Sequence, residues 1–196
     1  MGTVHSAHRL GGMGKVLESI DAGARQFIAA QQLYFVATAP SGATGHVNVS
    51  PKGHADTFTV IDDHTVAYLD LTGSGAETAA HLRDNGRITI MFCAFDGAPN
   101  ILRLQGHGRV VVAGEAAYDE LVALFLPRDG TRAVVVVDVT RIANSCGFAV
   151  PYYEYVEERD LLEAWAGSRT PQRLRDYRNS KNAASIDGLP AFDPSA

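Results

Sequence analysis

Two stretches of the chain carry side chains or backbone that can do chemistry. The first is HVNVSPKG at residues 46–53. His46, Asn48 and Ser50 alternate with Val47 and Val49, so a strand there shows polar groups on one face and apolar groups on the other. Pro51 ends the ladder and leaves Lys52 near the strand end, where its ammonium can reach a phosphate. Solvent, other side chains or a bound ligand can each satisfy such a polar face, and alternation alone does not choose between an ordinary half-exposed strand and a ligand wall. The second is the glycine-rich turn of TVAYLDLTGSGAETAAHLRDNGRITIMFCAF, residues 65–95. It opens a helix, and free amides at a helix start hold anions. Glu77 places a carboxylate in the first turn, which opposes a phosphate there. Cys146, between Ser145 and Gly147, is a thiol that is either redox-active or, as is commoner for cysteine, apolar filler. No Ser/His/Asp or Cys/His constellation is legible.

The elements that must position these groups follow from periodicity. Leu17, Ile20, Ala24, Phe27 and Ile28 recur at helical spacing from Lys15 onward. LYFVATA at 33–39 is aromatic and β-branched, a strand stopped by Pro40. Residues 57–61 and 65–71 form a hairpin across Asp62, Asp63 and His64. The second key stretch then reads as strand, turn, short helix, strand. Ser74 and Glu77 have the form of a capping box, and Gly86 can take the left-handed stop. Strands at 87–94 and 101–113 flank the turn at Asp96 to Pro99. A helix is expected over 115–125, ended by Pro127, and AVVVVDV at 133–139 reads as a strand buried on both faces. Two helices, 158–166 and 171–184, close the chain, with Trp165 as a packing anchor. Tyr152, Tyr153 and Tyr155 line an interface, cap a pocket or simply pack.

The resulting class is α+β, mainly β: six or seven strands joined by hairpins, forming an antiparallel barrel with flanking helices rather than a parallel doubly wound sheet. The GSGAE turn lacks the spacing of a dinucleotide fingerprint or a P-loop. Residues 1–14, polar and glycine-rich, read as a disordered leader, and His5 and His8 within it as exposed rather than metal-binding.

The chain has 196 residues, 46% hydrophobic and 20% charged, which suits one domain with a helical tail. With 22 acidic against 17 basic residues and a net charge of −5, it carries no electrostatic footprint for nucleic acid. No apolar run approaches the roughly 18 residues that span a bilayer. Two cysteines without metal-type spacing suit a reducing compartment, so the expectation is a cytoplasmic protein without a metal site.

HVNVSPKG, YLDLTGSG with ETAAHL after it, GRITIMFCAF, ILRLQGHGRV, SCGFAVP at 145–151 and KNAASIDGLP at 181–190 together resemble the pyridoxamine 5′-phosphate oxidase-like, FMN-binding split-barrel family, closest to an oxidase branch. The resemblance runs from about Met13 to Pro190. It implies a six-stranded split β-barrel over residues 15–145, a loop and helical extension over 146–196 packing on it, a homodimer, and FMN held in two grooves at the dimer interface.

Matched position by position, the resemblance places the cofactor against Asn48, Ser50 and Lys52, the strand end Tyr68, Leu69 and Asp70, the helix start Ser74, Glu77, Thr78 and His81, and Arg103 on a later strand. The family's phosphate-gripping Ser-Arg-Lys corresponds to Glu77, Thr78 and Ala79 here. Both cations are missing, which leaves Lys52, His81, Arg87 or Arg103 as substitutes. Arg103 to Gly106 is similar to an Arg-Val-Glu-Gly strand, but a flavin-contacting glutamine two residues earlier is Ile101. The carboxy-terminal Arg-Leu-x-Pro element is replaced by SIDGLP, so pyridoxamine phosphate oxidase activity itself is not expected. The resemblance implies an FMN-dependent oxidoreductase acting on a small molecule, with no catalytic residue assigned. Alternatives are a reductase of the same fold using the deazaflavin F420, and a non-catalytic dimer that has lost tight flavin binding.

Overall fold

The computed structural model describes residues 14–193; the leader expected over residues 1–14 lies outside these but for Gly14. Among the described residues eight strands form one antiparallel sheet: β1 (Val16–Leu17), β2 (Tyr34–Thr38), β3 (Asn48–Lys52), β4 (Phe58–Val60), β5 (Thr65–Leu71), β6 (Arg87–Cys93), β7 (Ile101–Val112) and β8 (Thr131–Ser145). Six of them have five or more residues and make the expected split barrel; β1 and β4 are short additions. The order is β3-β2-β6-β7-β8-β5-β4, with β1 paired to β8.

The sheet curls around one apolar core, but its edge strands do not pair. Aromatic rings bridge the gap instead: Phe58 of β4 lies 5.1 Å from Tyr34 of β2 and 5.1 Å from Phe92 of β6, both edge-on. Val36, Ile90, Leu104, Val135 and Ile142 fill the interior, all essentially inaccessible. Such ring pairs contribute about 0.5–1.5 kcal/mol each beyond their area, enough to hold a seam that lacks ladder hydrogen bonds.

Helix α1 (Ala22–Ala29) closes one end of the barrel. It begins later than the apolar periodicity from Lys15 suggests. Asp21 caps it, its carboxylate accepting from the Ala24 amide at 2.8 Å, while Val16 and Leu17 pair with Ala143 and Ile142 as β1. A strong cap outcompetes a weakly periodic run upstream of it. Helix α2 (Glu77–Asp84) packs on β7 and β2. Its expected capping box does not form: Ala76 is the N-cap, without a side-chain bond, and Ser74 is exposed. Gly86 does take the left-handed conformation expected of it, at φ +73°.

The glycines of ILRLQGHGRV answer to close approach. Register slips between Gln105 and Gly106, and a Cβ on Gly106 would stand 2.0 Å from the Asp138 carbonyl oxygen. At Gly108 it would press on Leu82 of α2 at 3.0 Å. The bulge that bends β7 and the seat of α2 both need the missing side chains.

Strand β8 runs well beyond the expected 133–139, because β5, β7 and β1 all pair along it. The helix expected over 115–125 shortens to α3 (Tyr118–Val122), which covers Leu69, Val111, Val134 and Val136 on the outer face. Helices α4 (Leu161–Gly167) and α5 (Pro171–Lys181) follow. Trp165 and Tyr177 join them edge-on at 4.9 Å, and Arg169 lies over the Trp165 ring. Residues 182–193 then return to the start of α2, where Leu189, Ala191 and Phe192 pack against Ala76, Ala79 and Ala80. Tyr153 stacks on Phe95, and Tyr152, Tyr153 and Tyr155 are all exposed. No helix among the described residues is long and apolar enough to cross a membrane.

Candidate functional site

Strand β3 pairs with β2 so that Asn48 faces Thr38, Ser50 faces Val36 and Lys52 faces Tyr34. Paired residues share a face, and Val36 and Tyr34 point into the core, so the polar row of β3 turns inward. Its apolar row is left outside: Val47 is 70% exposed and Val49 60%. This inverts the usual arrangement of a half-buried strand.

The inward row divides into two groups. Asn48, Ser50, Thr78 and His81, read from separate motifs, form one hydrogen-bonded network. The Asn48 amide donates to the Thr78 hydroxyl at 3.1 Å and to the Thr38 hydroxyl at 3.3 Å, and Ser50 donates to the Asn48 side-chain oxygen at 3.0 Å. Thr38 in turn meets His81 Nδ1 at 2.9 Å. His81 is fully buried, and its Nε2 has no partner among the described residues. A buried ring nitrogen left unpaired costs about 1–3 kcal/mol, which a ligand atom or an ordered water would recover. Thr38 was not among the residues singled out from sequence. Its signal was alternation in β2, where Tyr34, Val36 and Thr38 share a face that ends on a hydroxyl.

Lys52 and Asp70 form the second group with Arg132 of β8, which sequence reading also missed. Asp70 is 3% exposed and accepts from Lys52 Nζ at 3.3 Å and from Arg132 Nε at 2.6 Å. Burial pushes the Asp70 carboxyl up, but the Arg132 and Lys52 charges outweigh it and hold the group below the ordinary carboxylate range. Tyr68 lies beneath, fully buried, with its hydroxyl unpartnered and its pKa raised by burial. Lys52 stands 5.9 Å from the Tyr68 ring centroid. Its charge is thus already committed.

The remaining expected residues lie apart from both groups. Leu69 is on the opposite face of β5, under α3. Arg103 faces outward beside Met91 and Ala143 and donates to Ser145 at 3.0 Å. Arg87, offered as a substitute cation, binds the Pro40 carbonyl and the Asn85 side chain.

At the start of α2 the structure places a clamp. Glu77 accepts from the Ile186 amide at 3.4 Å, and Asp187 accepts from the His46 amide at 2.8 Å and from His46 Nδ1 at 2.7 Å. The hydrogen bond from the His46 side chain, then that from its amide, draws the Asp187 carboxyl below its usual value. SIDGLP, HVNVSPKG and ETAAHL therefore converge in space. Cys93 is buried, which raises its thiol pKa, whereas Cys146 is exposed.

FMN fits this arrangement in one part and not in another. The Asn48, Ser50, Thr78 and His81 groups offer donors and acceptors suited to the polar edge of an isoalloxazine ring. The first turn of α2 offers no cation to a phosphate: Glu77 and the 186–187 segment occupy it.

Residues 20–146 match the family model described as pyridoxamine 5′-phosphate oxidase. A pyridoxamine 5′-phosphate oxidase family protein of Aspergillus flavus, ustO, is 37% identical over 191 residues, which cover 89% of this chain and 76% of that protein. Among solved structures, HupZ of Group A Streptococcus is 25% identical over 65% of this chain and 98% of its own, with a TM-score of 0.48. An FMN-binding protein of Syntrophomonas wolfei is 17% identical over 62% of this chain and 82% of its own, at 0.46. On the family-model match and the curated relative, the chain belongs to the pyridoxamine 5′-phosphate oxidase family.

Proposed function

We propose that this chain is a flavin-binding oxidoreductase acting on a small molecule, with FMN as its cofactor and a second copy of the chain completing the site. The observation that carries the reading is the polar network on β3 and α2, built from family motifs and ending on a buried His81 nitrogen without a partner. Bound FMN would supply hydride or electron transfer, so the chain need not provide a nucleophile. Its own residues orient and desolvate. Asn48 and Thr78 present hydrogen-bonding groups to the ring edge, Thr38 fixes the His81 ring, and the clamp of residues 186–187 covers the helix start. A second copy is supported by the outward apolar row: Val47 just before β3 and Val49 within it, with Phe148 and Tyr152 farther on, are each more than half exposed. Free cysteines at 93 and 146 suit a cytoplasmic setting.

The start of α2, which carries the Glu77 carboxylate and no cation, favours a second reading, a dimer that keeps the barrel without holding flavin tightly. A visible absorbance spectrum, taken after FMN is added and excess removed on a desalting column, separates the two. Flavin bands that persist, and that vanish in an Asn48→Ala, Thr78→Val double variant, support the first reading. A protein that loses FMN on the column but retains added F420 supports the deazaflavin alternative, and one that retains neither supports the second reading.

A further inference from the structure

Beside α2, four arginines meet. Arg83 in the last turn of α2, Arg132 at the start of β8, and Arg175 and Arg178 of α5 line a cavity of about 100 Å³, with Phe192 and Asp193 at its side. Nothing in the flavin reading uses it.

Three observations point to a ligand rather than a solvated basic surface. First, the Arg132 side chain is only 6% exposed, and although its Nε is bound to Asp70, its Nη1 is buried with no acceptor among the described residues. Leaving a guanidinium donor unmet in a cavity wall is costly, and an oxyanion is its natural partner. Second, the neighbouring cations are braced for contact. Arg178 donates from Nε to Thr72 at 2.9 Å and from Nη2 to the Thr131 carbonyl at 3.1 Å, so its plane is fixed. Arg132 lies 4.8 Å from the Phe192 ring centroid, which holds its plane in turn. Third, the charge is under-compensated. Among the described residues Asp70 and Asp193 are the carboxylates beside the four guanidinium groups, and burial followed by the nearby Arg132 charge lowers the pKa of Arg178. A planar fork suits phosphate better than a point charge does, and the volume admits a phosphate-sized group but no ring system.

We propose that the cavity between Arg83, Arg132, Arg175 and Arg178 is an oxyanion site that takes the phosphate group of a small molecule, either the tail of the flavin or a separate phosphorylated ligand.

The test uses inorganic phosphate on the full chain by calorimetry at low ionic strength, against chloride at matched ionic strength. Arg83 and Arg175 are exposed, so the Arg83→Gln, Arg175→Gln double variant keeps the fold. Phosphate binding is expected in the wild type and at least tenfold weaker in the double variant. Arg178→Lys, which keeps the charge but loses the fork, should weaken it as well. Heat of binding equal for phosphate and chloride, or equal affinity in wild type and double variant, would overturn the site. Riboflavin and FMN identify the source: a preference for FMN lost in the double variant assigns the site to the flavin tail, and one that survives assigns it to a separate ligand. Because phosphate is titrated without flavin, the site can stand or fall independently of the flavin reading.

Discussion

Two buried polar groups sit side by side on the inward face of β3, and they are built on opposite principles. Lys52, Asp70 and Arg132 form a charged cluster in which the carboxylate is matched by two cations. Thr38, Asn48, Ser50, Thr78 and His81 form a neutral chain with a nitrogen left over. A buried charge must be matched or the fold fails, whereas a neutral donor can be left open at modest cost and closed by a ligand. On the proposed reading the neutral cluster serves flavin binding and the pairs on Asp70 serve stability, with Arg132 alone also turning an unmet Nη1 to the arginine cavity, although a lysine near a strand end draws the eye first in sequence.

The sharpest way to break this division is Asp70→Ala. It leaves the Arg132 guanidinium buried without its counter-charge, and breaking such pairs costs about 3–5 kcal/mol. Urea unfolding should show a loss of that size. A loss under about 1 kcal/mol, as for an exposed pair, would undo the assignment. The same cluster sets a pH dependence. The folded-state pKa of Asp70 is depressed, so its stabilisation is full above the unfolded value near 3.9 and fades as pH falls through the folded one. In wild type, unfolding free energy should drop across the acid range, and Asp70→Asn should flatten that part of the curve.

Gly106→Ala should come next. Its Cβ would collide with the Asp138 backbone at 2.0 Å, and backbone gives way less readily than a side-chain tip, so about 1–3 kcal/mol is expected. The loss should appear as a lowered Tm, with β7 and β8 exchanging amide hydrogens faster than β2 and β3. Asn48→Ala is smaller and different in kind. It should change stability by about 1 kcal/mol, the typical worth of a hydrogen bond, while weakening FMN about tenfold. Equal loss of stability in Asn48→Ala and Asp70→Ala would erase the contrast between the clusters.

Much of this was legible in the chain, for reasons that differ by residue. Strand β5 was read to its ends because Val66, Tyr68, Leu69 and Leu71 form an apolar run bounded by turn residues, and the alternation along residues 46–50 correctly separated Asn48 and Ser50 from Val47 and Val49. Alternation reports two faces but not which is inside, so the outward valines emerged only with the register against β2. The capping box failed because Ser74 and Glu77 satisfy a local pattern while Glu77 has a partner 109 residues away at Ile186. Arg132 escaped notice because it precedes a run of valines and reads as a strand-end charge; only the fold brings Asp70 and α5 to it. Contacts of that span carry no short-range signature.

The smallest expected effect tests whether the clamp belongs with the binding cluster or is only a tether. The Asp187 pair with His46 lies at the surface, the His46 side chain being 71% exposed, so weakening it in Asp187→Asn should leave the unfolding midpoint almost unchanged. Residues 185–191 should nonetheless exchange amide hydrogens several-fold faster, since the segment is otherwise held there by Ser185, the Glu77 contact and the packing of Leu189 and Ala191. If FMN retention falls together with that protection, the clamp is part of the site and the carboxy-terminal motif is tied to cofactor binding. If protection falls and FMN retention holds, the neutral network on β3 and α2 binds without the clamp, and the motif serves only to cover the alanine face of α2.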